Sequence, residues 1–398
     1  MTSDHEQAAV NLNMEIITLA RMIPQRKDLV VFVGRNRGLL LDNVKYAFLE
    51  AASGDYAFES LFVTTMPEEA EELARRNLPV CLFPGNNIRL PAQAALVVCD
   101  NFDWRLTPLW PLLHRAKVFQ LWHGIPLKKI GRVEIESPVN MDTEKAGYLE
   151  TMYSNYDAVV STSPAVSRIF SDVFYAPAEN YAEAGFPRND ALLKSPKAND
   201  FINVDTDLYG KIRTHRKAGG KVILHMPTFR DSGVAPLEAQ GIDPGNIATF
   251  ALEHNLLWAL KLHPSLILPK KEYPGLIVCK STSDVYPLLR ESDILLTDYS
   301  SVYFDYLLCD RPIHFHLHDL AEYTSQSREF MLNFDEWRPG PASYSEAELF
   351  ALLERTLRGE DLFGAERKRM RDILFTDQDA GSSARVCRHI EKLLGFAG

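Results

Sequence analysis

At 398 residues with 46% apolar side chains, the chain is longer than one hydrophobic core usually spans and reads as two globular domains. Its formal charge of −10 comes from 43 basic and 53 acidic residues mixed along the sequence rather than gathered in a basic block, which excludes a nucleic-acid backbone as the main partner. An anionic ligand is not excluded, because a phosphate responds chiefly to groups within a Debye length of roughly 8 Å.

The N-terminal stretch Ala8 to Ile23 places Ala9, Leu12, Ile16, Ile17, Leu19 and Ala20 at roughly helical spacing. Its polar face has few basic residues, so it is expected to pack on its own domain rather than lie on a membrane. The acidic, polar start also lacks the basic residues and unbroken apolar run of a secretion signal. Five widely spaced cysteines, Cys81, Cys99, Cys279, Cys309 and Cys387, read as buried thiols in a reducing compartment. Together these place the chain in the cytoplasm. No apolar run approaches the roughly 20 residues of a spanning helix, so any membrane contact is expected to be peripheral.

From there the rhythm is a short apolar strand followed by a helix, an α/β pattern. Strands are expected near Leu29–Val33, Ser60–Val63, Pro79–Phe83, Ala95–Cys99, Val118–Trp122 and Ala158–Ser161, with helices at Asp42–Ala52 and Pro67–Arg75. A polar stretch, Lys194–Asp207, is the candidate hinge. Beyond it strands are expected near Lys221–His225, Leu257–Leu262, Leu276–Cys279, Asp293–Thr297 and Pro312–Phe315. The division is therefore a first domain over residues 1–195, a second over 208–375, and a terminal helix over 376–398 that packs back across the cleft. In parallel sheets ligands sit at the carboxyl ends of strands, so residues just after strands are the functional candidates.

Five motifs fall there. Gln120-Leu121-Trp122-His123-Gly124 presents an imidazole at a strand end, beside a glycine that allows close approach, with Lys128 and Lys129 following as phosphate ligands. Gly185-Phe186-Pro187-Arg188-Asn189-Asp190 holds an arginine that could clamp a phosphate or pair with a carboxylate. Pro227-Thr228-Phe229-Arg230-Asp231 and Lys261-Leu262-His263-Pro264 each follow a strand, the second with a proline that breaks the ladder after His263. Thr297-Asp298-Tyr299-Ser300-Ser301 leads into a helix whose N-terminus Ser300 or Ser301 can cap. Taken singly, each has a structural reading: a satisfied histidine, a turn, a common cap.

There is no GxxxxGK[ST] and no GxGxxG, so ATP hydrolysis and ordinary dinucleotide binding lack their fingerprints. The triplets Asp205-Thr206-Asp207 and Asp377-Gln378-Asp379 read as solvated turns rather than metal sites, and no CxxC or HExxH pattern points to zinc.

In combination and in this order, these motifs resemble the CDP-glycerol glycerophosphotransferase family of teichoic-acid primases, polymerases and related capsule enzymes. The likeness runs through Gly34–Ala51 with Asp42-Asn43, Gln120–Gly131, Ser161–Phe174, Gly185–Asp190, Pro227–Asp231, His263-Pro264, Ser292–Pro312, Phe330–Pro341 and Asp379–Val386. It implies two Rossmann-like domains facing a cleft, as in the glycosyltransferase-B class, with acceptor on the first and CDP-polyol donor on the second.

By the same resemblance His123 activates the acceptor hydroxyl, while His263 and Arg188 stabilise the pyrophosphate. Thr228, Arg230, Thr297, Asp298, Ser300, Ser301, Asp305 and Arg328 line the donor side, and Gly124, Lys128, Asp42 and Asn43 the acceptor side. No metal and no cofactor are implied. The partners are CDP-glycerol or a related CDP-polyol and a lipid-linked or polymer acceptor. Two departures, Arg328-Glu329-Phe330 for the usual Arg-Gly-Phe and His225-Met226-Pro227-Thr228 for Tyr-Ala-Pro-Thr, leave the polyol open between glycerol, ribitol and a sugar phosphate. Two other classes stay in view: a UDP- or GDP-sugar transferase of the same fold, and a binding module without turnover.

Overall fold

The computed structural model describes residues 2–36, 38–85, 87–137, 141–228, 237, 240–262, 273–320 and 329–396, with side chains from residue 12 onward. It divides into two compact units, Met1–His123 with Thr143–Asp190 and Gly381–Gly398, and Gly124–Asp142 with Ala191–Ala380.

The first unit is built on seven parallel strands: β1 (Leu29–Val33), β2 (Glu59–Thr64), β3 (Val80–Leu82), β4 (Leu96–Cys99), β5 (Lys117–Gln120), β6 (Ala158–Ser161) and β7 (Tyr181–Glu183), in the order β3-β2-β1-β4-β5-β6-β7. The strands β1 (Leu-Val-Val-Phe-Val), β4 and β6 are buried along their whole length, because helices cover both faces of a parallel sheet. Helix α1 (Thr2–Arg21) packs on the short helix Leu109–Leu113, burying Ile17 and Ala20. Arg115 closes its C-terminus, donating to the carbonyls of Ala20 and Ile23, both at 2.7 Å. Helices α2 (Asp42–Ser53) and α3 (Pro67–Arg75) follow β1 and β2.

The terminal helix Ser382–Leu394 also belongs to this unit and packs on α2. Asp190 caps it, accepting from the amides of Ser382 (2.9 Å) and Ser383 (3.0 Å). Gly185, at φ +80°, is required beneath it, since a Cβ there would lie 2.4 Å from Ser382 Oγ.

The second unit repeats the plan with six parallel strands: β8 (Lys221–Met226), β9 (Leu256–Lys261), β10 (Leu276–Cys279), β11 (Ile294–Thr297), β12 (Ile313–His316) and β13 (Ala342–Ser343), ordered β10-β9-β8-β11-β12-β13. Its core gathers Ile223, Trp258, Leu260, Leu296, Leu349 and Leu353. The stretch expected as a hinge, Lys194–Asp207, lies in this unit and carries the turn Ala198–Phe201 and the cap of the helix Thr206–Lys217. All five cysteines are free, and all but the half-buried Cys309 are buried.

Each sheet has the doubly wound order in which the strand sequence reverses direction, between β1 and β4 in one unit and between β8 and β11 in the other. Loops leaving the carboxyl ends on either side of such a reversal diverge and open a crevice. Asp42, Thr228 and Asp298 follow strands at these reversals, while His123 follows β5 and Arg188 follows β7.

Candidate active site

In the first unit, Arg35 follows β1, Asp100 follows β4 and His123 follows β5. The chain reaches His123 through a strained residue: Trp122 has φ +46°, a region bulky side chains rarely adopt. Buried contacts hold it there. Asn43, fully buried at the start of α2, donates through Nδ2 to the carbonyls of Leu121 (3.2 Å) and Trp122 (2.9 Å), and Gln120 Oε1 accepts from the Trp122 amide at 2.9 Å. The indole packs among Phe102, Tyr153 and Phe174, with ring centroids 5.2–6.2 Å away. The His123 ring lies 4.0 Å from it, centroid to centroid, tilted by 31°.

His123 Nδ1 lies 2.9 Å from the carbonyl oxygen of Asp100. A carbonyl can only accept, so the proton resides on Nδ1, and Nε2 keeps its lone pair. Desolvation of the ring, with the Arg35 guanidinium nearby, lowers its pKa to about 3, so the imidazole is neutral at pH 7. That is well below the near-neutral value expected of a free base.

Arg188 is buried. Its Nη1 donates to Asp42 Oδ1 (2.7 Å) and to the carbonyl of His123 (2.9 Å), and its amide donates to Asn43 Oδ1 (3.1 Å). Arg35 Nη1 pairs with Asp42 Oδ2 at 3.0 Å and its Nε with Asp100 Oδ1 at 3.2 Å. Burial works to raise the Asp42 pKa, but Arg188 and Arg35 together override it and hold the carboxyl below its usual range; Asp100, more fully enclosed, is pushed upward by burial despite Arg35. The structure thus brings His123, Asp42, Asn43 and Arg188 together.

In the second unit, Asp298, fully buried after β11, joins the two switch-point loops. It accepts from the Thr228 amide (2.9 and 3.0 Å), Thr228 Oγ1 (2.5 Å), the Tyr299 amide (2.6 Å) and Gln240 Nε2 (3.3 Å). Thr297 Oγ1 donates to the Met226 carbonyl at 2.8 Å. Both side chains therefore shape the loops. Ser300 and Ser301 are half-buried ahead of the helix Val302–Tyr306, and Ser300 Oγ accepts from the Val302 amide at 3.4 Å. Asp305 is buried and accepts from the Tyr286 hydroxyl at 2.9 Å.

The segment Gly124–Asp142 is part of this unit. Lys128 pairs by backbone with Phe330, and Lys129 Nζ meets Glu329 Oε2 at 2.8 Å. His263, Arg230 and Arg328 lie outside the described residues. Asp205, of the first acidic triplet, caps the helix Thr206–Lys217 by accepting from the Leu208 amide (3.1 Å), and also accepts from the Lys280 amide (2.9 Å). Among the described residues no group of His, Cys, Asp and Glu has the makings of a metal site.

Sequence reading missed Arg35 and Asp100. The signal was present for Asp100, an acid placed directly after the apolar run Leu96–Cys99. Also missed was an apolar groove beyond β12, lined by Leu317, Phe330, Phe334 and Tyr344, in which Phe330 and Phe334 stack at 4.8 Å.

Two Rossmann-like units with their crevices at matching switch points define the glycosyltransferase-B class of fold. The solved wall teichoic acid polymerase TagF shares it, with a TM-score of 0.74 over 99% of this chain and 97% of that one at 21% identity. So does the UDP complex of S. aureus MnaA, with a TM-score of 0.55 at 12% identity over 92% of this chain and 97% of that one.

Residues 15–392 match the family described as CDP-glycerol:poly(glycerophosphate) glycerophosphotransferase, and the chain belongs to it. It is a transferase that moves glycerol phosphate from CDP-glycerol to a polymer. It is 27% identical over 294 residues to a teichoic acid glycerol-phosphate transferase of Staphylococcus aureus, covering 70% of this chain and 72% of that protein. It is 26% identical over 391 residues to a teichoic acid ribitol-phosphate primase of Bacillus spizizenii (94% of each chain), and 26% identical over 366 residues to a teichoic acid glycerol-phosphate primase of Bacillus subtilis (88% and 90%).

Proposed function

We propose that the chain extends a teichoic-acid-like or capsule polymer at the cytoplasmic face of the membrane, with His123 as the base that accepts the proton of the acceptor hydroxyl. The attacking oxygen forms a bond to the β-phosphorus of CDP-glycerol, the pyrophosphate bond to CMP breaks, and the proton passes to His123 Nε2. The observation that supports this is the fixed tautomer: a proton on Nδ1 held by the Asp100 carbonyl leaves Nε2 as acceptor. Burial lowers the His123 pKa to about 3, and a bound anionic pyrophosphate raises the pKa of a nearby imidazole, which suits a base that strengthens on binding.

Phosphoryl transfer leaves most of the rate to positive charge and N–H donors around the phosphates. His263, Arg230 and Arg328, with the Ser300-Ser301 helix start, are the groups proposed to supply them, without a metal. The groove beside the stacked Phe330 and Phe334 is the proposed seat of the donor base. Ribitol phosphate is the second reading, since glycerol- and ribitol-phosphate relatives match equally well, at 27% and 26% identity. No helix among the described residues is long and apolar enough to cross a membrane. The exposed Leu12, Met14, Leu19 and Met22 of and after α1 support peripheral contact with a lipid-linked acceptor.

The test is purified protein with CDP-glycerol or CDP-ribitol and a lipid-linked acceptor, following CMP, with and without chelator. CMP release that persists in chelator is expected. UDP or GDP released from a sugar nucleotide instead, or tight CDP-glycerol binding without turnover, sinks the reading.

A further inference from the structure

We propose that Arg35 is the positioning residue of the active site, the group that ties together the two arms by which His123 is held. The proposal rests on the reading of His123 as the base. One arm grips the ring, where Nδ1 donates to the Asp100 carbonyl at 2.9 Å; the other grips the main chain, where Arg188 Nη1 donates to the His123 carbonyl at 2.9 Å. These arms come from different loops, one after β4 and one from the turn Pro187–Asn189, and each ends in a carboxylate: Asp100 itself, and Asp42 paired with Arg188 at 2.7 Å. Arg35 joins the two ends, with Nε on Asp100 Oδ1 (3.2 Å) and Nη1 on Asp42 Oδ2 (3.0 Å). The result is a closed circuit, Arg35–Asp100–His123–Arg188–Asp42, in which every link but the His123 Nδ1 bond to the Asp100 carbonyl involves a charged side chain.

The backbone supports this placement. Gly34 allows the chain to double back after β1, where a Cβ would lie 2.2 Å from the Leu39 carbonyl oxygen, and Arg35 and Leu39 form the bridge that closes the turn. Asp100 is further fixed by the Val44 amide, 3.3 Å from Oδ2. A planar guanidinium suits this post because it can present two separate N–H edges to two carboxylates, which an ammonium does less well.

Among the described residues, the charged groups that act on His123 are Arg35, Asp42 and Arg188, with Asp100 acting through its main-chain carbonyl. Of these Arg35 is the cation that lowers its pKa most, so removing Arg35 moves His123 in a known direction, upward. A merely structural arginine would leave both the tautomer and the titration of His123 in place.

The experiment compares wild type, Arg35→Gln, Arg35→Lys and His123→Ala as full-length protein, each checked for a native thermal transition. Imidazole nitrogen NMR reads the tautomer and titration of His123; CMP release from CDP-glycerol with short poly(glycerol phosphate) acceptor reads kcat and KM. In Arg35→Gln the Nδ1–H tautomer is expected to become mixed, the His123 pKa to rise, and kcat to fall about a hundredfold with KM little changed, the effect of a misplaced base. Arg35→Lys, which keeps the charge and one of the two contacts, is expected to fall between, and it replaces Arg35→Gln if that variant does not fold.

An unchanged tautomer and pKa overturn the proposal whether or not the acceptor is turned over. So does a rise in KM alone, which would make Arg35 a substrate contact. If His123→Ala keeps full activity, the base reading fails instead, and the NMR result still decides whether Arg35 positions the ring.

Discussion

Trp122 shows how the geometry of the proposed base, His123, is held by buried neighbours. A bulky residue at φ +46° is disfavoured by about 1–3 kcal/mol, and the strain points the next residue, His123, out of the strand direction. Asn43 makes this tolerable, serving three main-chain groups at once: the carbonyls of Leu121 and Trp122 and the amide of Arg188. Replacing it with alanine removes these three buried hydrogen bonds, at about 1 kcal/mol each, or about 3 kcal/mol together. Asn43→Ala is therefore expected to lower the urea midpoint of the first unit and to reduce kcat along with it. Loss of stability with kcat intact would mean that the Trp122 conformation does not govern His123.

At the scale of elements, the apolar runs mark the inner strands β1 and β6 and the edge strand β10 to the residue, and most other inner strands to within one or two, because buried parallel strands are apolar on both faces. The edge strands β7 (Tyr181–Glu183) and β13 (Ala342–Ser343) escape that reading; they are short and carry polar residues. The motif loops were legible as strand ends, but their contacts were not. Asp190 caps a helix that begins 192 residues later, and Arg188 meets an aspartate 146 residues earlier, pairings that no local pattern encodes.

Glu329 is a further case. It stands where the family often has glycine, and it ties Lys129 (2.8 Å) and Ser137 (2.6 Å) to a short ribbon in which the Lys129 amide donates to the Glu329 carbonyl and the Met331 amide to the Leu127 carbonyl, both at 2.9 Å. The Lys129 hydrogen bond, then that of Ser137, holds its carboxyl below the usual range. The lysine that the motif offered to phosphate is thus engaged within the protein. Glu329→Gly is expected to speed amide exchange several-fold over residues 127–137, and added salt to do the same in wild type, since the pair is exposed. Unchanged exchange in both would show that the backbone ribbon suffices without the side chains.

For the molecule as a whole, buried histidines and one buried aspartate give the two units unequal responses to acid. In the second unit burial lowers His225 to about 3 and His314 to about 4, and lowers His316 as well, whereas unfolded imidazoles titrate near 6.5. Between those values the unfolded chain holds protons that the folded unit does not. Stability fully present above about pH 6.5 is therefore lost as the pH falls toward the folded pKa values. Near pH 5, His225 and His314 each contribute a slope of about 1.4 kcal/mol per pH unit, nearly 3 together.

In the first unit Asp100 works the other way. Its pKa is raised by burial above the unfolded carboxylate's, so between the two the folded state holds the extra proton and acid favours folding, offsetting the depressed His123 and His389. Lowering the pH from 7 to 5 in moderate urea is thus expected to expose β8, β9, β11 and β12 to hydrogen exchange before β1, β4 and β5, after correction for intrinsic rates. Trp258, whose Nε1 donates to His225 Nδ1 at 3.4 Å, reports the transition by fluorescence, and His314→Leu should flatten the slope. Equal loss of protection in both sheets would show that these buried groups do not set the acid limit.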